Sequence, residues 1–124
     1  MPRTLLVVED EETCAAMLEI ALGELPGVAV KWLRTAEEAL VHLSQEAVCA
    51  LVTDLHLPEM DGFKLIEQVR REPLLAGLPV IAVSGDSDPH TPARVLALGA
   101  DAYFVKPYSP AEVRSKVEQL IHAV

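Results

Sequence analysis

Basic residues are scarce in this sequence: 10 lysines and arginines stand against 19 aspartates and glutamates, a formal net charge of −9. Such a domain would repel a nucleic-acid backbone, which excludes direct binding of DNA or RNA as its role. Cysteine is scarcer still. Cys14 and Cys49 match no metal or redox spacing and read as small core or half-buried residues, in keeping with a reducing cytoplasm. No apolar run comes near the ~20 residues needed to span a bilayer. Leu5-Leu6-Val7-Val8 is too short for the core of a signal peptide. Low-complexity segments, repeats and internal linkers are also missing. What is present is a chain of 124 residues, 51% of them hydrophobic, which fits one domain over residues 1–124 with a sizeable core.

Five apolar runs alternate with helical patterns. The runs are Thr4 to Val8, Val28 to Leu33, Cys49 to Val52, Val80 to Val83 and Ala102 to Val105. Between them, apolar residues recur at helical spacing: Cys14, Leu18, Ala21, Leu22 and Leu25, then Ala36, Ala39, Leu40 and Leu43, then Phe63, Ile66 and Val69. Val113, Val117, Leu120 and Ile121 give a last helix its stripe. Thr35 with Glu38 and Ser109 with Glu112 form capping-box patterns. The helix before Gly99 has two candidate starts, Asp88 before Pro89 or Thr91 before Pro92, and the two prolines predict a shortened or displaced element. Strict alternation with near-continuous apolar strands predicts an α/β fold, a doubly wound (βα)5 parallel sheet with helices on both faces.

In such sheets, ligands bind beyond the carboxyl ends of the strands. Four of the five runs lead there to a reactive type of group: Glu9-Asp10, Asp54, Ser84 and Lys106. The second run carries a charge, suits an edge and ends without a candidate, so the predicted strand order is 2-1-3-4-5. Each of the four groups has an ordinary reading when taken singly, as a turn residue, a cap or a surface lysine. Their recurrence at one end of successive strands gives the pattern its weight. Glu9, Asp10 and Asp54 would repel one another there without a cation, and Mg²⁺ prefers such oxygen ligands. Asp10 and Asp54 suit direct coordination, with Glu9 acting through water. Asp54 is then placed to accept a phosphoryl group, with Lys106 as a second positive charge and Ser84 as a hydroxyl donor.

The chain resembles the receiver domain of two-component response regulators, the CheY-like branch of the flavodoxin-like folds. The matching residues are Val7-Val8-Glu9-Asp10-Glu11, Val52-Thr53-Asp54, Pro58-Glu59-Met60-Asp61-Gly62, Val83-Ser84-Gly85 and Lys106-Pro107, and the likeness covers essentially the whole chain. It implies a phosphorelay switch rather than an enzyme, phosphorylated on Asp54 by a sensor histidine kinase or a histidine phosphotransfer protein. It implies Mg²⁺, or Mn²⁺ in its place, held by Asp10, Asp54 and the backbone carbonyl of His56, with Glu9 through water. It further implies Ser84 and Lys106 on the phosphoryl group, a cis peptide at Pro107, and Ser84 with Tyr103 as a switch pair. That switch would change the face formed by the fourth helix, fifth strand and fifth helix. A downstream protein, a covalently linked output domain or a second copy of the chain would read the change, in the cytoplasm and away from any membrane.

His56 and Asp86, each two residues beyond a site residue, should flank the entrance and tune the phosphoryl lifetime. Three rival readings are weaker. A haloacid-dehalogenase-like phosphatase wants an aspartate where His56 stands. A flavin-binding module wants a phosphate loop where Glu9-Asp10-Glu11-Glu12 would repel phosphate. A degenerate receiver that serves only for protein contact would not need the intact acid cluster, Ser84 and Lys106.

Overall fold

A computed structural model describes residues 2–122. Five parallel strands, β1 (Arg3–Val8), β2 (Val28–Leu33), β3 (Val48–Asp54), β4 (Val80–Ser84) and β5 (Ala102–Val105), form one sheet in the order β2-β1-β3-β4-β5. Five helices alternate with them: α1 (Glu12–Leu22), α2 (Ala36–Gln45), α3 (Gly62–Arg71), α4 (Thr91–Leu98) and α5 (Pro110–His122). A short 3₁₀ turn, Pro73–Leu75, follows α3. The predicted fold class and strand order are both observed.

The chain turns one way from β1 to β2 and the other way from β1 through β3, β4 and β5. Crossovers of one hand then put α1 on one face of the sheet and α2, α3 and α4 on the other. Two apolar layers result. Leu5, Val7, Val52, Ile81 and Val83 pack with Leu18, Leu22, Val113 and Val117 of α1 and α5. Leu6, Val8, Leu51, Val80 and Ala82 pack with Ala39, Leu43, Ile66, Val69 and Val95 of α2, α3 and α4. Strands covered on both sides have no need of polar alternation, which explains their continuous apolar runs. The edge strand β2 does alternate, with Ala29 and Lys31 exposed.

Local chemistry sets the ends. Thr35 Oγ1 accepts from the Glu38 N–H at 3.2 Å, and Asp61 Oδ1 accepts from the Lys64 N–H at 2.9 Å, capping α2 and α3. The first helix stops at Leu22, so Leu25 is buried in the following turn rather than on the helix. The fourth helix starts at Thr91 with His90 before it and no side-chain cap, so neither predicted cap is used. Asp88 Oδ1 instead accepts from the His90 N–H at 2.9 Å, and the Thr91 hydroxyl donates to Asp86 Oδ2 at 2.9 Å. At 8 residues α4 is short, as the prolines predict.

Candidate functional site

At the carboxyl end of the sheet the described residues place carboxylate oxygens of Glu9, Asp10 and Asp54 within 4.8 Å of one another. Glu9 follows β1 and is fully buried; Asp10 is exposed; Asp54 is the last residue of β3 and 5% exposed. Lys106 crosses from the end of β5, its Nζ donating to Glu9 Oε1 at 2.8 Å and to Asp54 Oδ2 at 2.7 Å. The other Asp54 oxygen, Oδ1, accepts the His56 N–H at 2.8 Å. A single ammonium against three carboxylates leaves the cluster negative, and none of the ion pairs among the described residues involves Asp10. Such a set of hard oxygen donors with uncompensated charge fits a small divalent cation.

The electrostatics follow from burial and these partners. Burial pushes the Glu9 carboxyl up, Lys106 pulls it back, Asp54 raises it again, and the result is about 7. For Lys106, burial alone would pull the ammonium down, but hydrogen bonds to Asp54 and Glu9 outweigh it and the net shift is upward. Lys106 is therefore a fixed positive charge. The Lys106-Pro107 peptide is cis, and the Lys106 N–H donates to the Ser84 carbonyl at 2.8 Å.

The loop after Asp54 is shaped by close approach. A Cβ on Gly62 would lie 2.2 Å from the Asp54 carbonyl oxygen, so only glycine lets α3 start against the end of β3. Its N–H donates to the Leu55 carbonyl at 2.9 Å, and Glu59 between them takes a left-handed φ of 62°.

Ser84, fully buried, ends β4, and its Oγ accepts the Asp86 N–H at 2.9 Å while keeping its own hydrogen to donate. Asp86 joins three elements. Besides Thr91 it meets His56 Nε2 at 3.1 Å and accepts the Asp88 N–H at 2.7 Å. These bonds hold the Asp86 carboxyl below its usual range, the Asp88 N–H first and Thr91 next. His56 and Asp86, expected separately at the entrance, thus engage each other. The His56 ring also meets Phe63 of α3 edge-on, and the Arg94 guanidinium of α4 lies 3.8 Å from the Phe63 ring centroid.

Tyr103 on β5 packs against the α2–α4 layer with its hydroxyl buried and unbonded. Burial pushes the phenol up, and the nearby Ser84 opposes part of that rise. Two residues that contact this region carried no signal of their role in the sequence. Thr91 reaches the site through Asp86, and Trp32 of β2 donates its indole N–H to the Glu9 carbonyl at 2.7 Å.

The family model for the response regulator receiver domain matches residues 5–118. The chain is 33% identical over 121 residues to the alkaline phosphatase synthesis transcriptional regulatory protein PhoP of Bacillus subtilis, covering 98% of this chain and 49% of that protein. It is likewise 33% identical to the phosphate regulon transcriptional regulatory protein PhoB of Rhizobium meliloti, over 93% of this chain and 50% of that one. The chain thus spans about half the length of the curated relatives it matches. Among solved structures, the signal receiver domain of a signal transduction histidine kinase from Syntrophus aciditrophicus superposes with a TM-score of 0.88 at 34% identity, covering 98% of this chain and 92% of that one.

Proposed function

This chain belongs to the response regulator receiver family, and on that basis we propose that Asp54 is its phosphoryl acceptor in a two-component or phosphorelay system. The observation that carries the reading is the Lys106 ammonium bridging Asp54 and Glu9 inside an acid cluster at the carboxyl end of the sheet. An Asp54 carboxylate oxygen attacks phosphorus, and the bond to the donor's nitrogen or oxygen breaks with its electron pair staying on the donor. Lys106 and the free hydrogen of Ser84 hold the transferred oxygens. Asp10, Asp54 and the His56 carbonyl would hold Mg²⁺ or Mn²⁺, with Glu9 acting through water. The cation, when bound, neutralises charge on the transferring oxygens.

Transfer draws the Ser84 hydroxyl toward the phosphoryl group and away from the Asp86 N–H. The buried Tyr103 hydroxyl and the Asp86–Thr91 bond then favour a different arrangement of α4, which shifts an existing equilibrium. His56 and Asp86 set the lifetime by controlling the approach of water; replacing each with alanine and timing dephosphorylation tests this, and two unchanged lifetimes contradict it. The donor is a sensor histidine kinase or phosphotransfer protein. A hollow of about 320 Å³ lined by Glu11, Cys14, Met17, Lys106, Pro107 and Tyr108 opens beside the acceptor and suits its docking. Leu96 on α4 and Val105 on β5 are exposed, which suits contact with an output domain, a target protein or a second copy. No described helix is long and apolar enough to cross a membrane.

Intact mass after incubation with acetyl phosphate and Mg²⁺ tests the acceptor. The expected result is one phosphoryl adduct that disappears in Asp54→Asn and without Mg²⁺. An adduct that survives Asp54→Asn contradicts the assignment.

A further inference from the structure

The edge strand β2 ends without a reactive group, yet it grips the acid cluster from the side. Glu9 is held by β2 at both ends of its backbone. Its N–H donates to the Leu33 carbonyl at 3.0 Å, and its carbonyl accepts the Trp32 indole N–H at 2.7 Å. The second bond is short for a nitrogen donor, and an indole can only donate. The carbonyl it holds belongs to the peptide that joins Glu9 to Asp10, so the bond fixes the direction in which Asp10 leaves the strand.

Asp10 needs such help more than its neighbours. The Glu9 carboxylate is fixed by Lys106 and by the Glu11 N–H at 3.1 Å, and Asp54 by Lys106 and the His56 N–H. Asp10 is exposed and takes part in no ion pair among the described residues. Its position therefore rests on its backbone, while repulsion from two neighbouring carboxylates works to splay the loop outward. Trp32 is itself held: the Arg34 guanidinium lies 4.4 Å from its ring centroid, and the half-buried ring packs against the α1–α5 layer.

We propose that Trp32 is a positioning residue for the cation site. Its indole N–H holds the Glu9-Asp10 peptide in the arrangement that binds metal, so the site is formed before the ion arrives. This rests on the reading of Glu9, Asp10 and Asp54 as a divalent-cation site. Trp32 is also the only tryptophan in the chain, so its emission reports on that peptide.

The test compares wild type with Trp32→Phe, which keeps an aromatic ring and removes the donor. The expected result is a metal-free Tm close to wild type and an Mg²⁺ affinity, read from the rise of Tm with Mg²⁺, weaker by about three- to tenfold, the worth of one hydrogen bond. In wild type, Trp32 emission changes saturably with Mg²⁺, and Asp10→Asn abolishes the change. Equal affinity in a folded Trp32→Phe protein overturns the inference and leaves the cation site standing. Should that variant not fold, Trp32→Leu is measured in its place, and equal Mg²⁺ affinity in it overturns the inference too. A wild type that takes up no Mg²⁺ overturns the inference together with the reading it rests on.

Discussion

Helices α3 and α4 lie side by side on one face of the sheet and are held in different ways. The third helix buries Phe63, Leu65, Ile66 and Val69, carries the Asp61 cap and starts against the backbone of Asp54. The fourth buries only Thr91 and Val95, has no side-chain cap, and is tied at its ends by polar contacts. At its start Thr91 bonds to Asp86; at its end the Arg70 Nε donates to the Gly99 carbonyl at 2.9 Å. Apolar burial has no direction and resists displacement of any kind. A hydrogen bond with a defined partner is lost when that partner moves. The helix beside the site is thus part of the platform, and its neighbour is the element whose anchors the site can reach.

The heaviest test of this contrast is to remove apolar contact from each helix. Ile66→Ala should cost about 2–5 kcal/mol in denaturant unfolding, whereas Leu96→Ala, at 49% exposure, should stay within ~0.5 kcal/mol. Equal losses would erase the distinction. Arg70→Ala comes next. Its guanidinium also donates to the Leu75 carbonyl at 3.1 Å and to Asp101 Oδ2 at 3.2 Å, so a loss on the order of 2 kcal/mol is expected. Amide exchange should quicken most around Gly99, at the end of α4.

A pH-dependent effect should touch both helices alike, because it arises at the end of the sheet they share. Glu9 titrates near 4.5 when unfolded and at about 7 when folded. Between those values the folded state binds more protons, so its stability without metal falls as pH rises through about 7. Glu9→Gln should remove that slope, and added Mg²⁺ should reverse it by favouring the ionised form. A slope unchanged in Glu9→Gln would mean that another group carries it. The most local effect belongs to Thr91→Val. It should cost no more than about 1 kcal/mol, yet speed exchange in the first turn of α4 and leave α3 as it was.

The sequence made the sheet readable because strands buried on both faces are continuous apolar runs, and it made Asp54, Ser84 and Lys106 readable because each ends such a run. Its failures have a common cause. The start of α4 offered two caps, and the structure uses neither, since Asp88 and Thr91 spend their oxygens on His90 and Asp86. Trp32 and Arg70 act on carbonyls 23 and 29 residues away in the chain. A side chain that bonds to a distant backbone leaves no pattern in its own neighbourhood. The pairing of His56 with Asp86 is similar: their positions were legible, but not that each would take the other as partner.

Amide exchange with and without Mg²⁺ and beryllofluoride, a mimic of the phosphoryl group, is the decisive measurement for α4 as the responsive element. Protection should change from Asp86 through Leu98, change little across α3, and not respond in Asp54→Asn. A response that survives Asp54→Asn, or one centred on α3 with α4 unmoved, would contradict it.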